Sequence, residues 1–253
     1  MPNHLLPHVT YVHLVPSTLV LCVQIPGATL TDNKPAKKNG DDGFSDQIAE
    51  NLVSGLGKYA IDGFGPFDSA REVAEAALAK RGTVDGAIKE LIDDHTRLAG
   101  INGFVTGLGG FVTLPVALPA NVVGFYAVAT RLVAAIAHLR GHNIDDEVTR
   151  TAVMITLTGD DASNLLAQAG AVVPAGRATT VALKRLPKSA MALVNKAIGF
   201  RLLVIAGGKG MARLGRLIPV VGGLVGGAID VVLLRSVAKH ARKEFADATI
   251  TVE

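Results

Sequence analysis

Between Arg97 and Arg131 the chain runs for 33 residues without a formal charge, and this constrains the fold more than any other feature. So apolar a run has to be buried in the protein, in a partner or in lipid. It is long enough to cross a bilayer once, since about 20 residues suffice. Pro115 and Pro119 interrupt it, and proline removes a backbone donor and crowds the preceding turn. The expectation is a helical hairpin with a proline elbow, able to sit in a core or to dip into one leaflet.

The apolar material is of a kind that suits helices. Hydrophobic residues make up 49% of the chain but aromatics only 4%, with no Trp and 28 Gly. Sheets favour aromatic and β-branched residues, whereas small residues let helices approach closely. The predicted fold is all-α, a glycine-rich multi-helix bundle with apolar helical hairpins. Gly222 with Gly226, and Gly223 with Gly227, form two interleaved small-residue pairs four apart, and Gly103 with Gly107 offers a matching face. A glycine-softened loop after Pro219 is the alternative. Asp230 is the one charge between Leu217 and Leu234. It is either a buried carboxylate, with Arg131 or Asn121 as partner, or an acid at a water-facing turn.

Several helix ends are legible. Ser69 followed by Glu72 makes a capping box that opens a helix, and Gly82 closes it. Val84, Ala87, Ile88, Leu91, Ile92, His95, Leu98 and Ala99 then recur at helical spacing. Asp85, Lys89, Glu90, Asp93, Asp94 and Arg97 are left mainly towards water. Asp145, Asp146 and Glu147 suit the positive end of a helix running to about Thr158, Asp160 and Asp161 can start another, and Ser189 can open a helix through Ala206. His138 and His142 flank Gly141 at a helix end, a capping arrangement rather than a metal pair.

Charge is segregated along the chain. Residues 162–229 hold nine basic residues and no acid: Arg177, Lys184, Arg185, Lys188, Lys196, Arg201, Lys209, Arg213 and Arg216. Set among Leu, Val, Ile and Ala, such residues attract anionic lipid headgroups at roughly 1 kcal/mol each near a surface. Phe200 alone in that region could stack a base, so specific nucleic-acid binding is not expected.

Residues 1–31 contain four prolines and no Asp, Glu, Lys or Arg, and Asp32 to Gly43 reads as a polar linker. Residues 1–43 are therefore read as an accessory, disordered arm, and residues 44–250 as the helical domain. Cys22 is the single cysteine, which excludes an intramolecular disulfide. His4, His8 and His13 with Cys22 match no metal framework. GGKG at 207–210 lacks the rest of a phosphate loop, and no nucleophile elbow or HExxH occurs. No catalytic residue, metal or cofactor is expected.

From about Phe44 to Phe245 the sequence resembles the EcsC family of bacterial proteins. The resemblance rests on GFVTGLGGFVTLPVALP at 103–119, leading into a helix that ends HLRGHN, and on IPVVGGLVGGAIDVVLLRSVAKHARKEF at 218–245. It implies a helical fold, membrane association and no reaction; the family is named after a protein encoded beside an ABC transporter. Many members carry an acid at the position of Ala117 and Asn at that of Asp230. The expected function is non-enzymatic: an amphitropic protein on the cytoplasmic side of the inner membrane, peripheral or partly embedded. Its partner is an anionic membrane surface or a membrane protein, with homo-oligomers compatible. A soluble interaction module is the alternative, and a hydrolase with an unrecognised site a third reading.

Overall fold

A computed structural model of the chain describes residues 51–63, 67–108, 110–159, 162–168, 182–213 and 219–246. The arm and linker assigned to residues 1–43, with the three histidines and Cys22, lie outside the described residues, as do Asp160 and Asp161. Residues 51–55 are helical and lead into a π-helical segment, Leu56–Ile61, which turns Leu56, Ala60 and Ile61 into the core. Among the described residues seven longer helices follow: α1 (Ala70–Arg81), α2 (Val84–Leu108), α3 (Gly110–Leu139), α4 (Glu147–Thr156), α5 (Ala162–Gln168), α6 (Lys188–Arg213) and α7 (Pro219–Glu244). There is no strand among the described residues.

Local chemistry sets several boundaries. The Ser69 hydroxyl accepts from the Glu72 amide while the Glu72 carboxylate accepts from the Ser69 amide at 2.7 Å, a complete capping box. Gly82 ends α1 with φ +70°, a left-handed geometry that suits glycine, and donates to the Leu78 carbonyl. α3 ends in the same manner. Gly141, at φ +82°, donates to His138, and the His142 amide donates back to Ala137. Asp146 caps α4 by accepting from the Thr149 amide.

The proline elbow is overturned. α3 is helical from Gly110 through Pro115 and Pro119 to Leu139, so both prolines lie inside one helix and the partner helix of the hairpin is α2, which ends at Leu108. Proline's fixed φ is one that a helix also uses, so α3 continues through both rings although each lacks a backbone donor. Two residues also depart from the periodic reading of α2: Leu98 is 43% exposed, whereas Glu90 is buried and paired with Lys80 and Arg81.

α3 is the central helix. Leu132, Val133, Ala134, Ala135, Ile136 and Ala137 are all buried, so every side of this stretch is covered. Ion pairs and ring contacts fix the directions of its neighbours. Arg140, just past α3, bonds Asp85 at the start of α2 at 2.8 Å, so α2 and α3 are antiparallel. Phe245, just past α7, meets the His142 ring edge-on at 5.2 Å, so α7 runs alongside α3 in the same sense. α6 runs the other way: Lys184 before it acts on His142, and Arg201 within it on Tyr126. Thr151 of α4 bonds Asn195 of α6 at 3.2 Å.

Replacing Ser69 with Ala removes one half of the capping box and is expected to cost about 1 kcal/mol. Chemical denaturation checks this, and a loss below a few tenths would mean that the box contributes little.

Candidate functional site

α2 and α7 meet backbone to backbone. A Cβ built on Gly103 would lie 2.7 Å from the Gly226 carbonyl oxygen, and one on Gly226 would lie 2.6 Å from that of Gly103. A Cβ on Gly227 would fall 2.8 Å from the Gly100 carbonyl oxygen, and one on Gly100 would fall 3.1 Å from Val231. The chain after Pro219 is thus a helix, not a softened loop. Gly223 is buried, while the surroundings of Gly107 and Gly222 lie outside the described residues. The spacing rule missed Gly100, because its small partner, Gly103, is three residues away rather than four.

Polar groups line the inside of this contact. Asp230 is fully buried, and its Oδ2 stands 2.5 Å from where a Gly103 side chain would begin, so the carboxylate fills the space left by the missing Cβ. Arg131 does not pair with it. About 12 Å along α2 from Gly103, at about 1.5 Å per residue, Arg131 Nε donates to His95 Nε2 at 3.3 Å and its Nη1 to the Asp68 carbonyl at 3.5 Å. His95 Nδ1 lies 2.8 Å from the Leu91 carbonyl, so the neutral ring donates there and accepts from Arg131. Burial first, then Arg131, holds the His95 pKa down to about 4, against the pull of the Leu91 carbonyl. The hydroxyls of Thr96 and Thr130 are buried and find no hydrogen-bond partner among the described residues. The side chain of Asn121 lies outside the described residues. Of the inward-facing polar residues, Asp230, Arg131 and His95 stood out in the sequence; Thr96 and Thr130 are too common a type to signal burial.

The bundle is polarised along its axis. One end is laced by ion pairs: Arg71 with Asp145, Arg140 with Asp85, and Arg150 with Asp62. The other end holds the last turns of α2 and α6 and the first turns of α3 and α7. Towards it stand most of the large exposed apolar side chains: Leu98, Ile101, Phe104 and Val105 on α2, Phe200 and Val204 on α6, and Leu224 and Val232 on α7; Leu193 in the second turn of α6 and Phe67 before α1 are exposed away from it. Tyr126 is buried nearby, its hydroxyl pushed up to about 12 by burial despite Arg201.

Among the described residues the basic region is not gathered on one face. Lys184, Arg185 and Lys188 are exposed at the ion-paired end, roughly 24 Å of helix from Val204. Lys196 and Arg201 are half-buried mid-helix, each with interactions of its own. Lys209 and Arg213 fall in the last turns of α6, towards the apolar end; their side chains lie outside the described residues, as do Arg177 and Arg216. Among the described residues no metal-holding cluster of His, Cys, Asp or Glu occurs, and no helix is long and apolar enough to cross a membrane.

The profile of the EcsC protein family matches residues 27–246. The chain belongs to the EcsC family. No curated protein and no solved structure matches it. In this EcsC family member, the first sequence block spans the α2–α3 reversal and the second is α7. Their resemblance signal therefore comes from the two elements that meet through glycine and from the apolar end that they build.

In most helices Gly→Ala gains roughly 0.5–1 kcal/mol. Gly226→Ala is expected to do the opposite, lowering stability by roughly 1–3 kcal/mol, because its methyl would meet a carbonyl that cannot swing away. An unchanged or raised melting temperature would contradict the backbone contact. A second expectation concerns acid. His95 titrates near 6.5 when unfolded and about 4 when folded, so its stabilising neutral form is complete above pH 6.5 and lost as pH falls towards 4. At about 1.4 kcal/mol per pKa unit this amounts to roughly 3–4 kcal/mol. His95→Gln, which cannot ionise, should flatten the fall in stability between those pH values, and an identical slope would exclude His95 as its source.

Proposed function

We propose that this EcsC family protein is a non-enzymatic, amphitropic helical protein that applies its apolar end to an anionic membrane. The observation that supports the reading is the axial polarity: ion pairs at one end, uncovered Ile, Leu, Phe and Val on three helices at the other. Water-exposed apolar side chains grouped in this way mark a binding surface. Lipid fits the group better than a small ligand does, because the side chains project outward from three separate helices instead of lining a cavity. The uncharged run beside Arg97 contributes the α2–α3 reversal to the same end, so a short depth of insertion meets no formal charge from that hairpin.

This reading shifts the electrostatic contribution away from Lys184, Arg185 and Lys188, which stand at the wrong end. Flotation with phosphatidylcholine–phosphatidylglycerol vesicles tests the proposal. The wild-type protein is expected to float with them. Replacing Ile101, Phe200 and Leu224 together with Ser is expected to weaken partitioning by at least about tenfold, since each buried apolar side chain contributes roughly 1.5–3 kcal/mol. These positions are 60%, 55% and 63% exposed, so the melt should change little. A wild-type protein that stays with the bulk solution, or a triple variant that partitions normally, would sink the membrane reading and leave a protein partner as the occupant of the apolar end.

A further inference from the structure

The outward face of α7 changes character along its length, and α2 beside it offers a control. On α7 the exposed residues follow helical spacing as one stripe: Leu224, Ala228 and Val232, then Arg235, Lys239 and Arg242, with Lys243 alongside. Leu224 and Val232 are among the most open apolar side chains described, at 63% and 66% exposure. Among the described residues, none of the four cations is in an ion pair. The acids on this helix are elsewhere: Asp230 is buried against α2, and Glu244 is half-buried with an interaction of its own. The neighbouring face of α2 makes the same apolar-to-charged change, but its charged half is mixed, with Arg97 bonded to Asp94 at 3.2 Å and Asp93 exposed beside them.

We infer that the outward stripe of α7 is the protein's anionic-lipid site, with Arg235, Lys239, Arg242 and Lys243 on headgroup phosphates and Leu224 and Val232 among the acyl chains. This inference rests on the membrane reading and deepens it by naming the surface and the charge that it selects. Dimensions agree. From Leu224 to Val232 the helix rises about 12 Å, within the roughly 15 Å that one leaflet's hydrocarbon offers. Arg235 comes about 4.5 Å further, where the headgroup layer begins, and the long side chains of the cations above it can reach back along the helix to phosphate. Charge complementarity selects lipid of negative charge: four unpaired cations in three turns, with no exposed acid between them, are repelled by nothing on a phosphatidylglycerol surface and gain little on a neutral one.

Sequence segregation alone directs attention elsewhere, because Asp230 ends the acid-free stretch just before these residues. Only its burial on the opposite side of α7 shows that the exposed face stays cationic.

Two charge-matched triple variants of the full chain test the inference: Arg235→Gln, Lys239→Gln and Arg242→Gln on α7, and Lys184→Gln, Arg185→Gln and Lys188→Gln at the ion-paired end. Vesicles of phosphatidylcholine with and without phosphatidylglycerol serve as probes, with a thermal melt on each sample. The α7 triple is expected to lose about tenfold or more in affinity for the anionic vesicles, with a normal melt and unchanged weak binding to neutral ones. The other triple should bind as the wild type does. Raising salt should weaken the wild type and leave the α7 triple nearly insensitive, a readout that a merely structural effect would not produce. Equal affinity of the α7 triple and wild type, or an equal loss in both triples, overturns the assignment while membrane binding itself stands. A wild type that binds neither vesicle removes the membrane reading and this inference together.

Discussion

The contact of α2 with α7 through bare backbone is the constraint on which the rest of the structure depends. With Gly103 and Gly226 each within reach of the other's carbonyl, the two helices can pack in only a narrow range of registers. A single methyl on either side would hold them apart. The close approach also leaves a pocket of missing side-chain volume, and Asp230 uses it, which explains how a carboxylate can sit at the centre of an otherwise apolar seam. Packing and polarity are coupled here. The glycines that bring the helices together also make the room in which the acid is held.

That register has a consequence at longer range. α2 is polar at its start and uncharged at its end, whereas α7 is uncharged at its start and basic at its end. Antiparallel packing puts the two uncharged halves side by side, and α3 and α6 bring their own apolar ends to the same place. A linear pattern of charge thereby becomes an axial polarity of the whole bundle. The ion-paired end is held by Arg71, Arg140 and Arg150 reaching across helices, with the neutral His95 and Arg131 pair set inside it. Such an arrangement ties one end together with ion pairs and leaves large apolar side chains exposed towards the other.

Much of the fold was legible from particular residues. Ser69, Glu72 and Gly82 announce α1 because capping chemistry is local, and Gly141 with Asp146 announces the turn between α3 and α4 for the same reason. Pro115 and Pro119 misled because the φ that a proline ring fixes is one that a helix also uses, so the residue does not by itself mark a turn. Leu98 misled because periodicity assigns a face without saying how far along it a neighbour covers the helix. The family membership was legible from two blocks, since close glycine packing leaves a mark that is unusual in composition and fixed in spacing.

The sequence by itself determined that this chain would be helical, that its glycines would bring helices together, and that its apolar residues would exceed what one core requires. Those properties follow from local propensity, spacing and composition, which any short segment carries. Tertiary structure alone decided which basic residues share a surface. Of nine cations that look like one region in the chain, the seven on described residues are spread from just before α6 to its far end, because a helix about 39 Å long carries its ends apart. Four others, outside that region in sequence, share one face of α7, because the acid that separates them from it points the other way. Direction is a property of the folded backbone, and a count of charges along a chain does not contain it.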